Sequence, residues 1–353
     1  MLAPQIRHEF GLSLVEVGFV IDSVWIGGLL TLLPWGLLAD RVGERIVLAL
    51  GLGTCALALV GAAEASGFGA LLVLLGLAGA AGASVNAASG RAVMYWFPAA
   101  ERGLALGVRQ TAIPLGGFIA AIALPALGVK DGLLLLALMA AAGGIFGVAV
   151  IHDPEGTEDI LQPRRLGETL RDGRLWLLCS GSSFYLVAQL AITGFVVLFL
   201  YDERGFSHGQ AALVLAGVQV LAAAFRIGGG RWSDRVGSRV GPLRLVGLAS
   251  SATLGLVAAL VGAPAGVLVA ALVLAGGFAM AWNGLSFTAA AELAGRARSG
   301  AALGMQQSAL AATGAAVPPI FAAVVGATSW RAAFAIAAAF PLAGVALLRR
   351  LSA

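Results

Sequence analysis

Few side chains in this sequence can carry charge or move a proton, and several of those lie inside apolar runs. Asp22 is the one acid well inside such a run, where a carboxyl group can take up and release a proton; the plainer reading is an acid at a wet vestibule. Arg91 and Arg109 each lie about six residues from the cytoplasmic ends of the adjacent helices expected at 69–97 and 103–125, and together offer a positive patch suited to an anion. Alternatively they snorkel to a membrane interface or pair with Glu101, and Arg226 snorkels four residues before Gly230. The amides Asn86, Gln110, Gln189, Asn283, Gln306 and Gln307 either tie helix to helix or line a polar cavity. The three histidines, His8, His152 and His208, are scattered, and Cys55 and Cys179 sit alone in apolar runs. No constellation for a metal, a cofactor or a nucleophile forms, so a membrane-embedded enzyme is the weaker alternative.

The elements that must position these residues follow from composition. The chain of 353 residues is 59% hydrophobic and 11% charged, with mean hydropathy +0.95. A soluble domain carries about 25% charged residues, so the surroundings here are lipid. Stretches without Asp, Glu, Lys or Arg run over 46–63, 65–90, 110–129, 132–151, 175–201, 245–291 and 299–330. A crossing needs roughly 20 apolar residues. The pattern predicts helices over 14–38, 46–66, 69–97, 103–125, 131–151, 174–200, 209–230, 243–262, 265–293, 300–325 and 331–349, an all-α polytopic membrane protein of about eleven spans. The polar segment 152–173 reads as a linker between a bundle at 1–151 and a bundle at 174–353.

Arginine placement sets the expected orientation, because cytoplasmic loops retain Lys and Arg. Fifteen arginines fall on one set of loops, including 152–173 and the tail, against Arg7, Lys130, Arg204 and Arg331 on the other. The tail and linker are expected in the cytoplasm, the N-terminus outside. Topology thereby explains the basic pI near 9.7 without nucleic acid. The excess of arginine over the single Lys130, with high Ala and Gly, is the composition of a GC-rich bacterial gene, and the expected location is a bacterial plasma membrane.

Two segments recur. Gly36-Leu37-Leu38-Ala39-Asp40-Arg41-Val42-Gly43-Glu44-Arg45 matches Gly230-Arg231-Trp232-Ser233-Asp234-Arg235-Val236-Gly237-Ser238-Arg239 at an offset of 194. Arg102–Gln110 matches Ser299–Gln307 at an offset of 197, which also pairs Asn86 with Asn283 and Gly117 with Gly314. The chain is a duplicated bundle, an organisation common in secondary transporters.

On these residues the chain resembles the major facilitator superfamily. Gly-x-Leu-Ala-Asp-Arg-x-Gly-x-Arg is similar to that family's signature, and Glu101-Arg102-Gly103 and Ser329-Trp330-Arg331 sit where the family has them. The resemblance implies two pseudo-symmetric bundles that move a small molecule, plausibly with protons, by alternating access around a central site, in a monomer. It implies a gating role for Gly36, Asp40, Arg41, Gly43, Arg45, Gly230, Asp234, Arg235, Gly237 and Arg239. Asp40 would meet the helix start at Gly300, and Asp234 the one at Gly103. Asp22 is the candidate proton carrier. The candidate cavity comprises Asn86, Arg91, Arg109, Gln110, Gln189, Asn283, Gln306 and Gln307; an organic anion or a drug-like compound is the expected cargo. Pro114-Leu115-Gly116-Gly117 is similar to a drug-exporter motif but one residue short, so no exporter is read from it.

The family has twelve helices and its signature follows the second, whereas Asp40 follows the first recognisable helix here. Residues 2–13 resemble the family's external loop after helix one. The expectation is an absent first helix, through a late start codon or a truncated gene; an inactive truncated homologue is the alternative function.

Overall fold

The computed structural model describes residues 2–124, 127–151 and 166–351, and the elements among them are helical. The charge-free runs become α1 (Ala3–Glu9), α2 (Leu14–Val42), α3 (Glu44–Ala63), α4 (Phe68–Gly82), α5 (Ser84–Trp96), α6 (Arg102–Gln110), α7 (Ala112–Ala123) and α8 (Val129–Val150). They continue as α9 (Leu166–Leu170), α10 (Gly173–Thr193), α11 (Val196–Asp202), α12 (His208–Val236), α13 (Val240–Ala259), α14 (Ala265–Met280), α15 (Trp282–Ala294), α16 (Ser299–Ala327) and α17 (Trp330–Leu348). Ten helical segments among the described residues are long and apolar enough to cross a membrane. Most of the expected linker, 152–165, lies outside the described residues.

Four expected spans are broken rods. Breaks fall at Ala83, Thr111, Gly194-Phe195 and Ala281. The span expected at 103–125 is thus two shorter helices, α6 and α7. Pro114 explains that break, since a proline has no N–H to give the carbonyl of Gln110 four residues back. At Ala281 a side chain competes for the backbone: Asn283 Nδ2 donates to the Met280 carbonyl at 3.1 Å.

The duplication reaches further than the signature. Ser13 caps α2 reciprocally with Glu16, and Ser207 caps α12 with Gln210, 194 residues on. Among the described residues those with positive φ are all glycines, and they include Gly11 with Gly205 and Gly43 with Gly237, both pairs at that offset. Residues 3–9 are therefore the counterpart of α11, and form a helix where a loop was expected. Leu2, Ile6 and Leu12 are buried with Val17, Leu59 and Leu133.

Contacts divide the chain into two compact units. The first holds Met1–Trp96, Ala112–Arg171 and Ala294–Ser308; the second holds Phe97–Thr111, Asp172–Leu293 and Ala309–Ala353. Each takes in a short segment from the other half of the sequence. In the first unit α2 meets the start of α16, and in the second α12 meets α6. Glycines make both approaches possible. A Cβ on Gly36 would collide with the Gly300 carbonyl, and one on Gly103 would lie 2.6 Å from the Gly230 carbonyl oxygen. One turn further, Gly304 faces the Leu32 carbonyl and Gly107 the Arg226 carbonyl, again in register with the duplication.

The second unit has a continuous apolar core that includes Phe199, Leu254, Leu272 and Phe334, closed by the mutually tilted rings of Phe195, Phe321 and Trp330. Ser329 caps the helix that Trp330 opens.

Alanine at Gly36 or Gly103 is expected to cost about 1–3 kcal/mol through forced backbone displacement and to lower the midpoint of thermal unfolding in detergent. Gly53→Ala, with open space at its Cβ position, should be neutral. Equal midpoints for all three would contradict the close-approach reading.

Candidate functional site

The last turn of α2 carries Asp40, and its carboxylate lies across the first turn of α16. Oδ1 accepts from the Gly300 N–H at 2.9 Å and Oδ2 from the Ala301 N–H at 2.7 Å. The last turn of α12 does the same to α6: Asp234 accepts from Gly103 at 2.9 Å and from Leu104 at 2.8 Å. The leading N–H groups of a helix have no partners within it and carry about half a positive charge. A carboxylate spanning two of them answers both needs, and each such bond contributes about 1.5–3 kcal/mol.

Each carboxylate has an arginine, drawn from a different place. In the first unit Arg91 of α5 donates through Nε to Asp40 at 3.1 Å and meets Glu44 at 2.7 Å. Its Nη2 donates to the Tyr95 hydroxyl at 2.9 Å, the guanidinium lies 4.4 Å over that ring, and the hydroxyl donates to the Arg296 carbonyl at 3.2 Å. Arg91, Glu44 and Asp40 are 1%, 3% and 8% exposed, so one cation faces two anions away from water. In the second unit Arg239, just before α13, pairs with Asp234 and donates to Glu292 of α15 at 3.1 Å through both Nε and Nη2. It also donates to Ser233 and to the Ala99 carbonyl, and Arg102 stands 3.9 Å from Glu292. Burial opposes the Arg239 charge, but its bonds to Glu292 and Asp234 outweigh that and hold its pKa above the ordinary value.

The two latches therefore share a backbone plan and differ in wiring. At the offset of 194 Glu44 corresponds to Ser238 and Arg45 to Arg239; at 197 Tyr95 corresponds to Glu292. One repeat puts the acid at the turn and the arginine on the neighbouring helix, and the other reverses them. Arg45, Arg41 and Arg235 are exposed.

The geometry revises Arg91. The sequence reading puts it in an anion-binding cavity, snorkelling to the interface or against Glu101; the structure places it between two buried carboxylates, Asp40 and Glu44. Glu44, Tyr95, Arg102 and Glu292 were not singled out from sequence. The available signal was an acid beside a glycine turn or at the end of a charge-free run, close to a repeated arginine cluster.

Three of the remaining polar candidates, joined by Arg226, form one chain of hydrogen bonds inside the second unit. Asn283 Nδ2 donates to Gln189 Oε1 at 3.0 Å and to the Met280 carbonyl at 3.1 Å. Arg226 donates to that same carbonyl at 3.0 Å and to the Gln110 carbonyl at 2.9 Å. Gln189 and Asn283 are half-buried, as is Arg109 beside Gln110. Asn86, Gln306 and Gln307 lie in the first unit, Gln306 buried and the others half-buried; Asp22 is exposed on α2. Among the described residues no three of His, Cys, Asp and Glu gather where they could hold a metal.

Comparison with known proteins bears out the family resemblance. The family model of the Major Facilitator Superfamily matches residues 1–318. The chain belongs to the major facilitator superfamily. It is a multi-pass membrane protein 35% identical to an MFS-type transporter of Mycobacterium tuberculosis, an alignment covering 98% of this chain and 79% of that one. The "Probable nitrate/nitrite antiporter NarK1" of Thermus thermophilus is 32% identical over 68% of this chain and 57% of its own. The "Probable sulfoacetate transporter SauU" of Cupriavidus necator is 28% identical over 70% and 65%. In fold, the chain superposes on the E. coli fucose:proton symporter with a TM-score of 0.79 at 18% identity, covering 100% of this chain and 93% of that one.

Replacing Arg91 by Met removes the cation between two buried carboxylates and is expected to destabilise the protein by about 3–5 kcal/mol. Adding Glu44→Gln should restore part of that loss. A double-mutant cycle on thermal unfolding measures it, and strictly additive effects would contradict the buried triad.

Proposed function

We propose that this facilitator-superfamily chain is a secondary active transporter that moves a small anion across a bacterial plasma membrane by alternating access. The carrying observation is the matched pair of carboxylates, Asp40 and Asp234, each seated on the first turn of a helix from the other half of the sequence. In this reading the halves 1–151 and 174–353 act as two bundles, tied by the latches on the side where fifteen arginines cluster, which is the cytoplasmic side. Opening inward requires both carboxylates to leave their amides. Each latch is worth a few kcal/mol, strong enough to hold a closed state and weak enough for a bound substrate to shift.

The class of cargo is supported from two directions. Two relatives are named for small anions, nitrate or nitrite and sulfoacetate. In this chain the half-buried Arg109 and Gln189 place a cation and an amide within one unit, polar groups of the kind a dehydrated anion needs, with Asn283 holding Gln189. Asp22 is the acid proposed to couple transport to protons. It stands exposed nine residues into α2, where a carboxylate can exchange protons with water. The inactive-homologue reading is opposed by two intact latches.

In proteoliposomes, nitrate and short sulfonates or carboxylates are expected to be taken up while neutral sugars are not. Asp40→Asn should lower turnover roughly tenfold, because weakening the charge-assisted bonds by about 1.5 kcal/mol disfavours the return to the latched state in every cycle, with little change in KM. Asn283→Ala should raise KM instead. Unchanged turnover in Asp40→Asn would sink the gate. For coupling, an inward acid gradient should accelerate wild-type uptake and leave Asp22→Asn unaffected; equal acceleration in both would remove Asp22 from the mechanism.

A further inference from the structure

Arg226 is an anomaly within the duplication. Its counterpart at the offset of 194 is Leu32, and both backbones do the same work, their carbonyls packing against Gly107 and Gly304. The backbone plan therefore does not call for an arginine. Yet Arg226 is 4% exposed within a segment long and apolar enough to cross the membrane. An isolated charge there costs several kcal/mol, and among the described residues no carboxylate is paired with it. Its Nε and Nη1 instead donate to two backbone carbonyls, of Met280 and Gln110.

Those carbonyls are the last of α14 and the last of α6, at two of the four helix breaks. A helix C-terminus carries partial negative charge and unsatisfied carbonyls. The Gln110 carbonyl has a particular deficit, because the residue that would donate to it, Pro114, has no N–H. Arg226 supplies that donor. The Met280 carbonyl it shares with Asn283, whose amide also holds Gln189.

We propose that Arg226 is a positioning residue that braces two broken helices, its guanidinium serving as a common C-cap for α6 and α14. Helix-end dipoles take the place of a carboxylate counter-ion. The brace fixes the turn from which Asn283 projects and the end of α6 that carries Arg109. Its consequence for transport rests on those two residues meeting the substrate, but the brace itself does not.

The test is backbone amide exchange, with no substrate needed, on wild type, Arg226→Met, Pro114→Ala and the double variant in detergent. Arg226→Met should speed exchange roughly tenfold in the segments around both breaks, 108–116 and 278–286, as local opening becomes easier. Pro114→Ala should by itself change little. In the double variant the restored N–H at residue 114 should recover protection at 108–116 and leave 278–286 fast. A general loss of stability would not be repaired at one break alone. If Arg226→Met does not fold, Arg226→Lys, which keeps the charge but loses the fork, should show faster exchange at one or both breaks. Unchanged exchange in the Arg226 variants, or a double variant with no local rescue, would overturn the proposal. So would a nitrate-induced rise in thermal stability that Arg226→Met alone abolishes, because that result would make Arg226 an anion ligand. Loss of uptake with normal exchange would count against the transport reading and leave the brace in place.

Discussion

A carboxylate seated on the first turn of a helix is the interaction on which the rest of this structure depends. The N–H groups of Gly300 and Ala301, and of Gly103 and Leu104, begin helices in a chain with few polar groups to spare. Asp40 and Asp234 meet that need from elements distant in sequence. The contact demands close backbone approach, which the glycines at 36, 300, 103 and 230 permit. It also buries each carboxylate, and Arg91 and Arg239 stand against the two as counter-ions. Glycine spacing, arginine placement and helix starts follow from one electrostatic requirement.

Duplication gave both repeats the same backbone solution and left the side chains room to differ. Arg91 with Asp40 and Glu44 makes a buried triad. Arg239 with Glu292 and Arg102 makes a more open one, with Glu292 about a quarter exposed. A closed low-dielectric network resists rearrangement more strongly than a wetted one, so the two latches are not energetically equivalent even though they are related by descent. Arg226 against Leu32 is the same lesson within the helices: one repeat uses a helix-end brace that the other does without.

Much of this was legible in the sequence. Spans follow from charge-free runs because lipid excludes charge, and the latch aspartates follow from the repeated signature. The helix breaks were not legible, because a window of about 20 apolar residues reads the same whether the rod is continuous or interrupted; only Pro114 gave a local sign. The partner of Arg91 was not legible because Asp40 lies 51 residues away, and depth along a helix does not say which face an arginine presents. Glu292 and Tyr95 were passed over for a related reason: the repeat directs attention to what is conserved between halves, whereas these positions carry the difference. The first helix-forming residues, 3–9, were read as loop because seven residues are too few to show a period.

The most direct test is an experimental structure trapped open toward the arginine-rich side, for instance by a nanobody selected against that face in lipid nanodiscs. The account predicts that both carboxylates have left their amides there, Asp40 from Gly300 and Ala301 and Asp234 from Gly103 and Leu104, while α2 and α12 remain helical to their ends. An open state in which either carboxylate still spans its two N–H groups would contradict it.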